Sequence, residues 1–516
     1  MCFRCYNKEK GGNNMKKSFI IVPIILISIC LIFSLTACSV KDDSNFLYDN
    51  YGVKYAGVYG DYESSENYTE IIENDFISTE TNNVSYFSID ANTASYPNLR
   101  KRIMENYNIP KDAVRVEEML NYFSYDYVKP TDGSIMSLTS SVFDNPYNPQ
   151  TKLMTIGLAS KEVAFSNVKN NLVFLIDVSG SMYSADKLPL VQESFKLLVE
   201  NLNAEDRISI VTYAGNDNVA LKGAYGNEKQ KIMAVIEDLV AGGSTAGSEG
   251  IKTAYNIARE CFIEGGNNRV ILATDGDFNV GISNTTALGR FIGEKRESGI
   301  YFSVYGFGTG NIQSDLMETL ALEGNGVYSY IDSIMEARRA LVTDIGGSLV
   351  TVAKDVKAGV TFNKDYVDSY RLIGYENKLL TEDEFNDDKT DAGELGSGHT
   401  VTIVYEIKLK ERELVENEKF AEVILKYKPT ENSGDDTLEQ SITLDISTND
   451  YRTMNAQDAF ISSVIEFALI LRESNYKANA DLNALITRLD NLDLSSDQFK
   501  AEFRDVVKKY RENING

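Results

Sequence analysis

The sequence predicts an α/β protein: a doubly wound, mostly parallel sheet with helices on both faces, inserted in or flanked by a β-sandwich domain, plus a C-terminal helical segment. Three observations predict it. Between 171 and 347, short β-branched or aromatic runs alternate with helical stretches, as in a parallel sheet whose crossover helices cover both faces. On either side, at 135–165 and 352–448, strand-like runs follow one another without helices. At 455–512, apolar residues recur at helical spacing.

At the amino terminus, Met15-Lys16-Lys17 is followed by an apolar run at 19–35, broken only by Pro23, Ser28, Cys30 and Ser34, and then by Leu35-Thr36-Ala37-Cys38. Small residues before a cysteine after such a run read as a lipoprotein processing site, with cleavage before Cys38 and a lipid on its sulfur. The expectation is a body anchored in the cell membrane through Cys38 and facing outside the cytoplasm; an uncleaved membrane anchor is the alternative. Met15 is the expected true start, because Lys10-Gly11-Gly12 can be encoded as a ribosome-binding sequence ahead of it. The signal peptide is 1–37.

Residues 38–83, rich in Asp, Glu, Asn, Ser and Tyr, read as the lipidated cysteine and a flexible tether. A family-specific region with β-strands is expected at 84–170. There Tyr86-Phe87-Ser88-Ile89-Asp90 alternates like a strand, and 99–106 and 116–123 read as helices separated by Pro110. In the α/β block, 171–347, strands are expected at 172–176, 208–213, 270–273 and 301–305. Helices are expected at 187–201, 228–240, 248–264, 285–298 and 312–322. A β-rich domain follows at 348–450 and a helical region at 451–516. Phe460, Val464, Phe467 and Leu471 mark one helical face that Asp458 and Glu466 interrupt, so this helix packs and does not span a membrane. The strands at 135–165 are expected to pair with those at 352–448, closing one sandwich around the inserted α/β block.

Composition narrows function. The 516 residues carry 51 Lys+Arg against 76 Asp+Glu, a net charge of −25. Loss of residues 1–37 removes five basic residues and one acidic one, so the mature body is more acidic still. This argues against nucleic-acid binding, which needs a cationic footprint. One histidine, His399, excludes sites built from several histidines. Cys2, Cys5 and Cys30 leave with the precursor and Cys38 is lipidated. Cys261, in a helical pattern, is then expected to be a buried structural thiol without a disulfide.

The sharpest chemistry lies in Asp177-Val178-Ser179-Gly180-Ser181-Met182, directly after the apolar strand 172–176. In a parallel sheet, ligands bind beyond the carboxyl ends of strands near the point where the winding reverses. Asp177, Ser179 and Ser181 alternate along a tight loop and offer hard oxygen donors suited to Mg²⁺, Mn²⁺ or Ca²⁺ and not to zinc. Gly242-Gly243-Ser244-Thr245 adds the Thr245 hydroxyl before a helix. Leu272-Ala273-Thr274-Asp275-Gly276-Asp277 adds Asp275 at the end of another apolar strand.

With these segments on one chain, 171–347 resembles the von Willebrand factor type A domain and its metal-ion-dependent adhesion site. Phe87-Ser88-Ile89-Asp90-Ala91-Asn92-Thr93-Ala94-Ser95-Tyr96, 112–123, 370–377 and 391–399 are similar to bacterial YfbK-type von Willebrand factor A lipoproteins. The resemblance implies that Ser179, Ser181 and Thr245 coordinate a divalent cation, Mg²⁺ first, with Asp177 and Asp275 acting directly or through water. Few direct carboxylates would leave one position for an Asp or Glu of a protein partner. The leading expectation is a non-enzymatic adhesion module; an extracellular metal-dependent hydrolase and a structural envelope component are the alternatives. Asp277 reads as a turn or helix-capping residue, with holding a water behind the metal as the alternative, and Gly306-Phe307-Gly308-Thr309-Gly310-Asn311 reads as a strand-to-helix turn near the metal edge, since it lacks the lysine and spacing of a phosphate loop. His399 reads as a turn or pairing residue, with no G-x-S-x-G elbow beside it.

Overall fold

The computed structural model describes residues 66–516 apart from 90, 132, 165–167, 215, 244–246, 277–284, 345, 346, 348 and 431–438. In chain order its strands are β1 (Ile77–Ser78), β2 (Val84–Ser88), β3 (Met136–Asp144), β4 (Lys152–Ser160), β5 (Asn170–Asp177), β6 (Arg207–Ala214), β7 (Asn216–Tyr225), β8 (Asn267–Thr274), β9 (Ile300–Phe307), β10 (Tyr328–Ile331), β11 (Thr351–Phe362), β12 (Val367–Ile373), β13 (Gly393–Gly396), β14 (Thr400–Leu409), β15 (Lys419–Pro429) and β16 (Gln440–Ser447).

The flanking strands form two sheets over one apolar core. One sheet runs β1-β12-β14-β4-β3; the other runs β13-β11-β15-β16, with β2 also paired to β11. The pairing of β4 with β14, from Ala159↔Thr400 to Lys152↔Ile407, joins the segments before and after the α/β block. The block is therefore inserted in the sandwich. Its strands alternate as one-sided sheets do: in β15, Val423, Leu425 and Tyr427 are buried while Glu422, Ile424 and Lys426 are half-buried.

The inserted sheet has the order β10-β9-β8-β5-β6-β7. All its pairs are parallel except β6 with β7, an antiparallel edge strand that the polar Asn216-Asp217-Asn218 start conceals in the sequence. β5 and β8 are buried along their whole length. Leu172, Phe174 and Ile176 enter the core on one face and Val173 and Leu175 the core on the other, which is why these strands read as unbroken apolar runs. From β5 the chain winds outward to β6 and β7, then returns on the other side as β8. The winding reverses between β5 and β8.

The expected carboxy-terminal region is three helices, Ala456–Leu471, Leu482–Asp490 and Gln498–Asn515. They share a core with the helices Ser95–Met104 and Val116–Asn121 around Tyr96, Phe123, Phe460, Phe467 and Phe503. The two acidic interruptions have structural work. Asp458 closes a capping box with Asn455, and Glu466 accepts from the Asp481 amide (3.0 Å) and pairs with Arg488 (2.8 Å). Among the described residues no helix is long and apolar enough to cross a membrane.

Two expectations change. The stretch from 66 to 83 does not behave as tether. The Asn67 amide donates to the Ile312 carbonyl (3.0 Å), β1 pairs with β12, and the buried Thr79 hydroxyl donates to the Val367 carbonyl (2.7 Å). Backbone pairing and polar side chains hold this segment, so its poverty in aliphatics is no guide. Cys261 is free, but it is half-buried and follows the last residue of the Gly247–Glu260 helix. The signal region, Met15 and Cys38 lie outside the described residues.

Candidate metal centre

The carboxyl ends of β5 and β8 stand side by side, with Ile176 in register with Ala273. Asp177 and the Thr274-Asp275 step thus emerge together at the reversal point, where ligands gather in such sheets.

Asp177 is fully buried. Its Oδ1 accepts from the Ser179 amide (2.8 Å). Its Oδ2 accepts from the Tyr213 hydroxyl (3.2 Å) and the Thr274 hydroxyl (3.1 Å). Burial pushes its carboxyl up to about 6; the hydrogen bonds from Ser179 oppose the rise and the charge of Asp275 adds to it. Two carboxylates that repel each other in a buried place create a demand for positive charge.

The Ser179 and Ser181 hydroxyls lie 3.0 Å apart, so the alternation in the loop does bring both oxygens to one point. The Gly180 amide donates to the Gly243 carbonyl (3.2 Å) and the Gly242 amide to the Val178 carbonyl (2.7 Å). These two bonds stitch the glycine-rich loop to the serine turn. Thr245 and Asp277 lie outside the described residues.

Asp275 is also buried. Its Oδ2 accepts from Lys187 Nζ at 2.7 Å and faces Asn311 Nδ2 at 3.5 Å. The 306–311 segment is the expected strand-to-helix turn: it joins β9 to the helix Ser314–Glu323, and Asn311 brings it to the metal edge. Gly276, at φ +95°, has no room for a side chain, since a Cβ there would stand 2.5 Å from the Asn311 carbonyl oxygen. His399 belongs to the sandwich. It precedes β14, its carbonyl accepts from the Ser160 amide (2.9 Å), and its ring lies against Gly347.

Sequence reasoning missed Tyr213, Thr274, Lys187 and Asn311. Tyr213 ends one predicted strand and Thr274 directly follows another, so both are legible as edge residues. Asn311 is legible only as part of the turn expected near this edge, and Lys187 has no local signal, because its role comes from a contact 88 residues away.

The donor set fits a hard divalent cation. Among the described residues no group of three or more His, Cys, Asp or Glu is placed to hold a metal alone. A cation held here would draw on the hydroxyls of Ser179 and Ser181, with the buried carboxylates balancing charge around it.

Comparison with known proteins agrees with this fold. The von Willebrand factor type A domain matches residues 171–343, a von Willebrand factor model matches 62–155, and the C-terminal model of the uncharacterized protein YfbK matches 347–512. The uncharacterized protein YfbK of Escherichia coli is 41% identical over 350 residues, covering 66% of this chain and 61% of that protein. The chain therefore carries a von Willebrand factor type A domain followed by a YfbK-type carboxy-terminal region.

The human inter-alpha-trypsin inhibitor heavy chain H2 is 27% identical over 171 residues, 31% of this chain and 18% of that one. The chain thus spans about three fifths of YfbK and under one fifth of the inhibitor heavy chain. Among solved structures, a von Willebrand factor type A protein from Catenulispora acidiphila is 16% identical, with a TM-score of 0.43 over 75% of this chain and 91% of that chain.

Proposed function

We propose that this protein is a cell-surface, lipid-anchored adhesion module whose type A domain binds a protein partner through a divalent cation. Type A domains typically serve protein interaction, and many carry such a cation. The observation that carries the reading is the Ser179–Ser181 hydroxyl pair, 3.0 Å apart beside the buried Asp177. Ser179, Ser181 and Thr245 would hold the cation directly, and Asp177 and Asp275 would support it through their carboxylates or bridging water. Mg²⁺ suits this shell of oxygens, with Mn²⁺ or Ca²⁺ able to substitute. The cation, when bound, supplies a Lewis-acidic position that an Asp or Glu of the partner completes. The chain's own residues orient the hydroxyls and bury the counter-charges, which is the work of binding and not of turnover. Cys38 would carry the lipid that holds the body on the outer side of the membrane.

The test is capture of partners from envelope extract by the purified protein with Mg²⁺ or with EDTA, alongside Asp177→Ala and Thr245→Ala. The expected result is a partner lost on chelation and with both variants. A partner retained in all three conditions would overturn the reading.

A further inference from the structure

Lys187 is a charged group at this edge for which the adhesion-site reading has no place. It immediately precedes the helix Leu188–Glu200. Its ammonium reaches Asp275 Oδ2 at 2.7 Å, and the two side chains are only 10% and 0% exposed. The stem is held along its length. A Cβ on Gly308 would stand 2.5 Å from Cγ and from Cε of Lys187, and Gly308 sits at φ +72°. The 306–311 turn thus leaves a slot that the lysine chain fills. The backbone below it is pinned as well: Asp186 accepts from Lys101 Nζ (2.5 Å) and from the Ser184 hydroxyl (2.6 Å), and the Lys187 amide donates to the Ser184 carbonyl (3.0 Å).

We infer that Lys187 is a built-in competitor of the divalent cation, a tethered positive charge already paired with Asp275. Asp275 adds to the negative potential at Asp177, and a cation brought into that potential has to share it with an ammonium already in contact. The proposal rests on the metal-site reading above. It explains how the edge can keep its two buried carboxylates without metal, and it makes loading weak until a partner's carboxylate adds its own charge. Metal and partner would then bind cooperatively, each lowering the cost of displacing or sharing Lys187.

The test is direct Mn²⁺ binding by the purified chain, read as the loss of the free-ion electron paramagnetic resonance signal, with Mg²⁺ competition. Lys187→Met keeps the stem and removes the charge; Lys187→Arg keeps the charge; Ser179→Ala reports on the metal shell. Lys187→Met should bind Mn²⁺ tighter than wild type by at least about tenfold, which is about 1.4 kcal/mol. Lys187→Arg should stay close to wild type. Without metal, Lys187→Met should melt below wild type and recover on adding Mn²⁺. Equal or weaker Mn²⁺ binding by a folded Lys187→Met, with binding still abolished by Ser179→Ala, would overturn the role of Lys187 alone. Absence of Mn²⁺ binding in both wild type and Lys187→Met would overturn the metal site itself, and the competitor with it.

Discussion

Arg100→Ala removes the residue that ties three parts of the molecule together. Arg100 lies on the helix Ser95–Met104 and is 4% exposed. It grips Asp332 with two hydrogen bonds, Nε to Oδ2 at 2.8 Å and Nη2 to Oδ1 at 2.6 Å. It also donates to Glu336 (3.0 Å), to the Tyr122 hydroxyl (2.9 Å) and to Glu502 (2.8 Å). Asp332 follows β10 of the type A sheet and Glu502 lies on the last helix, so one guanidinium joins the amino-terminal region, the inserted domain and the carboxy terminus. Glu336 is completely buried. Burial pushes its carboxyl up, but Arg339 and Arg100 more than offset this and leave it below the usual range. Glu502 is 45% exposed, and solvent screens that contact to little net value. The side chains of Asp332 and Glu336 are only 6% and 0% exposed, and removing one partner of such a pair costs about 3–5 kcal/mol because the other charge stays buried. That is the expected loss for Arg100→Ala. Glu502→Gln should lose less than about 1 kcal/mol. Urea unfolding followed by far-ultraviolet circular dichroism and by tyrosine fluorescence measures both, since the chain has 30 tyrosines and no tryptophan. A loss for Arg100→Ala no larger than that for Glu502→Gln would refute the reasoning that burial, and not contact number, sets the value.

Glu117 gives a pH signature. It is buried beside Glu376, and burial first, then that neighbouring charge, raises its carboxyl from 4.5 to about 7 against the pull of Arg115 and Arg472. A raised folded value means that the neutral form stabilises the fold below pH 4.5 and that this contribution is lost as pH rises through 7. Glu117→Gln should therefore stabilise the protein at pH 8 by about 1–3 kcal/mol and change little at pH 4; the same pH slope in both proteins would count against it. Gly308→Ala should cost about 1–2 kcal/mol from its left-handed backbone alone, and more because a methyl group there meets the Lys187 stem; denaturation measurements showing a neutral change would mean that the slot is not tight. Cys38→Ser should abolish incorporation of labelled lipid and release the protein from the membrane fraction. Unchanged labelling would place the lipid elsewhere.

Much of the fold is legible in the sequence because its signals are local. Leu172–Ile176 reads as a strand buried on both faces since alternate side chains feed two cores. Phe460, Val464, Phe467 and Leu471 read as a helix because each faces one core. The edge strand β7 and the segment 66–83 were hidden, since backbone pairing holds them without an apolar stripe.

The same division holds at the site. The spacing of Asp177, Ser179 and Ser181 after one apolar strand, and Asp275 after another, determines by itself where oxygens gather, because strand ends of a parallel sheet share one edge. Tertiary structure alone decided what surrounds them. Only packing could bring Lys187 onto Asp275 across 88 residues, seat Arg100 between Asp332 and Glu336, and close β4 on β14 around the inserted domain. Such contacts depend on how separate elements pack in space, and no local sequence pattern encodes them.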